Sequence, residues 1–134
     1  QTRSRRGPFS FSSPGKEEMK KSELEICFDL NFKKPLQKAG FKYETQKTIP
    51  GERFEYDVRL TRGETKILIE LDGNGMGHTS VKSRERDARK GNHAVMSGYL
   101  FFRLTGKHFR TVKGVRVPEN YAHELIADIV QIRA

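Results

Sequence analysis

The chain has 134 residues with 34% hydrophobic and 32% charged side chains, a size and balance that fit one polar globular domain with a single core. Twenty-six Lys and Arg against 17 Asp and Glu give a formal net charge of +9, which favours polyanionic partners, nucleic acid above a ribosomal or membrane surface. No apolar run is long enough to span a membrane, no signal peptide is visible, and the single cysteine, Cys27, excludes an internal disulfide and a thiolate zinc cage.

Residues 1–16 (QTRSRRGPFSFSSPGK) read as a flexible basic linker or arm, and the domain is expected to run from 17 to 134. From Glu17 to Ala39 the apolar residues Leu24, Phe28, Phe32, Pro35, Leu36 and Ala39 recur at a helical period, with Gly40 as a stop. Pro35 predicts a kink or break near Lys33 and Lys34. Glu25 falls inside the apolar arc. It is either a site carboxylate turned toward a cation or an edge residue reaching solvent or a lysine.

Phe41–Ile49 reads as a first strand, with Pro50-Gly51 as the turn. In the second strand Phe54, Tyr56, Val58 and Leu60 alternate with Glu55, Asp57 and Arg59; in the third, Ile67, Ile69 and Leu71 alternate with Leu68, Glu70 and Asp72. Period two puts Glu70 and Asp72 on one face, and pairing of the two strands brings Asp57 beside them. Three carboxylates on one patch call for a cation or a basic partner. A glycine-rich loop then leads to His78, and Thr79 or Ser80 caps a helix to about Met96. Tyr99–Leu104 reads as a buried strand, and Pro118 opens a last helix with Leu125, Ile126, Ile129 and Val130 on its apolar face. The expected fold is α/β, a mixed sheet flanked by helices in the order α-β-β-β-α-β-α.

These residues carry the parts of a phosphodiester hydrolase. Asp57, Glu70 and the backbone carbonyl of Leu71 form an oxygen ligand set for Mg²⁺, and His78 titrates near neutrality. Asp87 either orients His78 or pairs with Arg84. Lys82, Arg84, Arg86, Arg89 and Lys90 on the following helix, then Arg103, Lys107 and Arg110, are candidates for phosphate-backbone contact. His93, His108 and His123 lack metal-ligand spacing and read as structural.

A helix Glu, a strand Asp, the run ILIELDG followed by His78, and RERDARK followed by Gly98-Tyr99 resemble the PD-(D/E)xK nuclease superfamily. Within it they are most similar to the very-short-patch repair endonuclease branch and its EDxHD-type phage homing endonucleases. The resemblance spans about Glu25 to Leu104. It implies a restriction-endonuclease-like fold and makes Glu25, Asp57, Glu70, His78 and Asp87 catalytic. The metal, Mg²⁺ or a relative such as Mn²⁺, would lie at Asp57, Glu70 and the Leu71 carbonyl. Asp72 departs from the pattern by standing where the superfamily has lysine, which leaves that role unfilled and shifts proton transfer toward His78. The resemblance further implies double-stranded DNA as substrate, a homodimer or higher oligomer when both strands are cut, and action in the cytoplasm of a phage's bacterial host. A strand-nicking repair or restriction-type endonuclease and a non-catalytic nucleic-acid binder on a degenerate nuclease fold are the alternatives.

Overall fold

In the computed structural model the described residues are 22–48, 54–73 and 81–132. Residues 1–21, the Pro50-Gly51 turn and residues 74–80, with His78 and the Thr79 or Ser80 cap, lie outside them. The chain is mixed α/β. Helix α1 (Glu23–Lys38) leads into strands β1 (Lys42–Thr48), β2 (Glu55–Arg62) and β3 (Thr65–Asp72). Helix α2 (Val81–Met96) precedes β4 (Leu100–Thr105). A 3₁₀ turn (Gly106–His108), a hairpin of β5 (Phe109–Val112) and β6 (Val115–Pro118), and α3 (Asn120–Val130) complete the chain.

The main sheet has the order β1-β2-β3-β4. β1 and β2 pair antiparallel, as do β2 and β3, whereas β3 and β4 are parallel, with Glu70 opposite Arg103 and Asp72 opposite Thr105. A parallel pair needs a long crossover, and α2 provides it. One face of the sheet packs Val58, Leu60, Ile67, Ile69, Leu71 and Leu104 against α1 and α3 in the larger core. The other face packs Leu68 and Tyr56 against Ala94 of α2 and Tyr99 in a much smaller cluster.

Helix α1 begins with a capping box: the Ser22 hydroxyl accepts the Glu25 N–H at 3.2 Å, and Glu25 Oε1 accepts the Ser22 N–H at 2.8 Å. Its buried stripe is Leu24, Cys27, Phe28, Phe32 and Leu36. Pro35 is a correction to the expectation on two counts, because it is exposed rather than on the apolar face and the helix runs through it unbroken. Phe32 and Leu36 on either side of it are buried, and that packing outweighs one missing backbone hydrogen bond.

The other differences have similar causes. β4 is an edge strand, with Leu100 at 45% exposure and only Leu104 fully buried, not the buried strand expected from its apolar run. The β5–β6 hairpin adds two strands to the expected order, and Pro118 closes β6 instead of opening the last helix. Among the described residues no helix is long and apolar enough to cross a membrane.

Candidate active site

Regular alternation fails in β2 at one residue, and the acidic groups meet there. Val58 and Leu60 lie in the α1-side core, but Tyr56 lies in the α2-side cluster. Residues two apart on a regular strand share a face, so β2 turns over at Asp57. The ladders agree. The β1–β2 pairs skip Gln46 and Asp57 while registering on either side, and the β2–β3 pairs stop at Val58↔Ile69. Gln46, across from Asp57, has φ 54°, a left-handed conformation uncommon for a residue other than glycine. Backbone strain of this kind concentrates at functional sites. The expected single face of Phe54, Tyr56, Val58 and Leu60 is thereby corrected.

At the turnover the Asp57 carboxylate takes the place of a ladder acceptor: Oδ2 accepts the Leu71 N–H at 2.7 Å. The Asp57 N–H is 3.4 Å from Glu70 Oε1. Glu25 arrives from the first turn of α1, where Oε1 caps the helix and Oε2 accepts from Gln46 Nε2 at 2.8 Å. The same Gln46 nitrogen lies 3.5 Å from Asp57 Oδ1. Three elements thus bring Glu25, Asp57 and Glu70 toward one point. The crevice between Glu25, Asp29, Thr45, Gln46, Asp57 and Val58 leaves no room for a water molecule.

Burial, a hydrogen bond to Glu25 and the charge of Glu70 push the Asp57 carboxyl up to about 8, against the opposing pull of the Leu71 N–H. At neutral pH and without a cation, Asp57 therefore holds a proton. Next to this pair, Tyr43 donates its hydroxyl to Asp29, and burial with that acceptor raises the phenol far above its ordinary value.

Glu70 and Asp72 do share a face, but each meets a cation. Lys90 of α2 pairs with Glu70, and Arg103 Nη1 donates to Asp72 Oδ2 at 2.7 Å. Arg103 also lies 3.9 Å from the Asp87 carboxylate and donates to the Asp87 carbonyl at 3.3 Å, so Asp87 is bridged to Asp72 through one guanidinium. His78 lies outside the described residues.

The basic candidates divide. Lys82, Arg84, Arg86, Arg89, Lys107 and Arg110 are exposed. Arg86 stands 6.0 Å from the Phe54 ring centroid, and Arg110 is 3.4 Å from Glu119. Lys90 stands apart from these. It is not a solvated side chain, since only 14% of it is exposed and it lies against Glu70. A helix lysine thus stands beside Glu70, where the strand itself carries none. The signal was its spacing: Lys90 is one helical turn before Ala94, which is fully buried. The histidines outside the site pack on aromatic rings, His93 on Phe54, His108 on Tyr121 and His123 on Phe32.

Among the described residues no three Asp, Glu, His or Cys side chains form a ready metal cage. Mg²⁺ needs no such cage, because it retains waters and takes one or two carboxylates. The donors at the turnover are hard oxygens, and Asp57 keeps a proton where the charge of Glu70 and burial disfavour a bare carboxylate. The Leu71 N–H faces Asp57, and in a β-ladder a residue's carbonyl points to the same neighbour as its N–H. The residues present therefore fit a small divalent cation. No protein-family model matches the chain, and no curated protein matches it.

Proposed function

We propose that this chain is a metal-dependent DNA endonuclease domain that hydrolyses phosphodiester bonds, built on a restriction-endonuclease-like fold. The observation that carries the proposal is the convergence of Glu25, Asp57 and Glu70, from a helix and two strands, where β2 leaves its ladder. A structural role explains such a cluster poorly, because buried like charges destabilise a fold. A cation and a phosphate resolve the conflict. The sequence resemblance to homing endonucleases supports site-specific double-strand cleavage as the finer reading.

Asp57, Glu70 and the Leu71 carbonyl would hold Mg²⁺ or Mn²⁺. Once bound, the cation supplies charge neutralisation at the phosphate and activation of the attacking water. Glu25, fixed by its cap and by Gln46, orients the Asp57 carboxyl. His78 is assigned proton transfer from its sequence position, toward the water or the leaving 3′ oxygen, which leaves a 5′ phosphate. The exposed Lys82, Arg84, Arg86 and Arg89 of α2 supply contacts to the DNA backbone, which position a duplex without reading its bases. Cutting both strands requires two such sites, hence a dimer on DNA.

Supercoiled plasmid incubated with the protein and Mg²⁺ or Mn²⁺ tests the proposal. Wild type is expected to nick and linearise it, and Asp57→Asn and His78→Ala to lose about 100-fold or more in rate. Nicking without linear product would favour the strand-nicking alternative. Cleavage unchanged in both variants would sink the site assignment. Binding without cleavage under any divalent metal would favour the non-catalytic binder.

A further inference from the structure

We infer that Gln46 is a positioning residue for the metal site, its carboxamide fastening Glu25 beside Asp57 and so setting how tightly the chain holds a divalent cation. The inference rests on the metal site of the reading above. The four carboxylate oxygens of Glu25 and Asp57 each face a donor. Glu25 Oε1 accepts the Ser22 N–H and Asp57 Oδ2 accepts the Leu71 N–H, both from the backbone. The other two oxygens face one side chain: Gln46 Nε2 donates to Glu25 Oε2 at 2.8 Å and lies 3.5 Å from Asp57 Oδ1. A carboxamide nitrogen carries two hydrogens, which matches two acceptors. The crevice among these residues has no room for water, so solvent cannot take over the task.

The backbone bends to put the amide there. Gln46 has φ 54°, and the β1–β2 ladder skips it together with Asp57. Glycine adopts this conformation freely, and asparagine more readily than most residues. Glycine has no side chain to reach the acids, and asparagine is one methylene shorter. Backbone ease alone would select one of those two. Strain of this kind persists where the surroundings over-determine it, and it clusters at ligand clamps. What it secures here is the reach of one amide to two acids.

A neutral donor also fits the place better than a charged one. A lysine or arginine would neutralise the carboxylates and compete with the cation, whereas an amide holds Glu25 and leaves the negative charge for the metal. Gln46 reaches Asp57 from β1, while Glu70 and Leu71 flank it from β3, so the amide and the proposed ligands approach from opposite neighbours. Groups that hold a metal ligand from behind fix its orientation, and losing one lowers metal affinity or activity about 10- to 100-fold.

The test compares wild type, Gln46→Met and Gln46→Gly in the full chain. Three quantities are measured: Mn²⁺ affinity by calorimetry without DNA, the Mg²⁺ dependence of plasmid cleavage, and thermal melting. Gln46→Met keeps the bulk of the side chain and removes both donors, and Gln46→Gly also relieves the backbone. Titrations run well below each melting transition, so that a lost affinity reports on the site and not on unfolding. Both variants are expected to bind Mn²⁺ about 10-fold or more weakly and to need correspondingly more Mg²⁺ for half-maximal cleavage. Mn²⁺ affinity within about threefold of wild type in a folded variant would overturn the inference and leave a structural hydrogen bond, whatever the melting point does. Should Gln46→Met fail to fold, Gln46→Gly decides alone. A wild type that binds no Mn²⁺ defeats the metal site, and the inference with it. A wild type that binds Mn²⁺ but cuts nothing defeats the nuclease reading, and the affinity comparison still decides the role of Gln46.

Discussion

The two faces of the sheet are held in different ways. Against α1 and α3 the chain buries a continuous apolar core that includes Phe28, Phe32, Leu36, Leu60, Ile67 and Ile129. Against α2 it buries only Tyr56, Leu68, Ala94 and Tyr99, and ion pairs stand beside them: Lys90 on Glu70, Arg103 on Asp72 and Asp87. The first face carries the larger apolar core, while the second mixes a small apolar cluster with ion pairs. Asp57 sits at the seam, where β2 turns over from one face to the other.

The largest expected effect lies on the α1 side. Phe28→Ala empties a fully buried site and is expected to cost about 3–5 kcal/mol, read as a fall in the denaturation midpoint. A loss under about 1 kcal/mol would mean that this face is not the principal core. On the α2 side the corresponding change is smaller. Arg103→Met removes the guanidinium between Asp72 and Asp87 and is expected to cost about 1–2 kcal/mol, because both carboxylates retain some access to water. Equal losses in the two variants would erase the difference between the faces.

The same division explains what was legible in the sequence. Alternation along Ile67–Asp72 is regular, so Glu70 and Asp72 could be assigned to one face and Ile67, Ile69 and Leu71 to the core. Glu25 stood out as a carboxylate in a helical apolar arc. The turnover at Asp57 was hidden, because Phe54, Tyr56, Val58 and Leu60 alternate as smoothly as any regular strand. A conformational change at Gln46 leaves no compositional mark there, since glutamine is not a turn residue. The β5–β6 hairpin escaped because its strands are four residues each; its trace is Lys113-Gly114, both at positive φ, between Val112 and Val115. Lys90 was lost among many basic residues on one helix. Arg103 did carry a signal, being the single charge in the run Leu100–Leu104 opposite the acidic strand.

The central claim is that the acidic cluster holds together only with a proton or a cation in it. Asp57 has its pKa raised from 3.8 to about 8, so the folded state binds a proton that the unfolded state has released between those values. Its contribution to stability is fully present below about 3.8 and is lost as pH rises through about 8. The charges of Glu70 and Glu25 act in the same direction, and the Leu71 N–H opposes them. The decisive measurement is urea unfolding across this pH range for wild type and Asp57→Asn, with and without Mg²⁺. Metal-free wild type should weaken as pH rises from about 4 to about 8 and level off above it, Mg²⁺ should restore the loss, and Asp57→Asn should show neither effect. The same pH dependence in Asp57→Asn, or no response of wild type to Mg²⁺ at high pH, would contradict it.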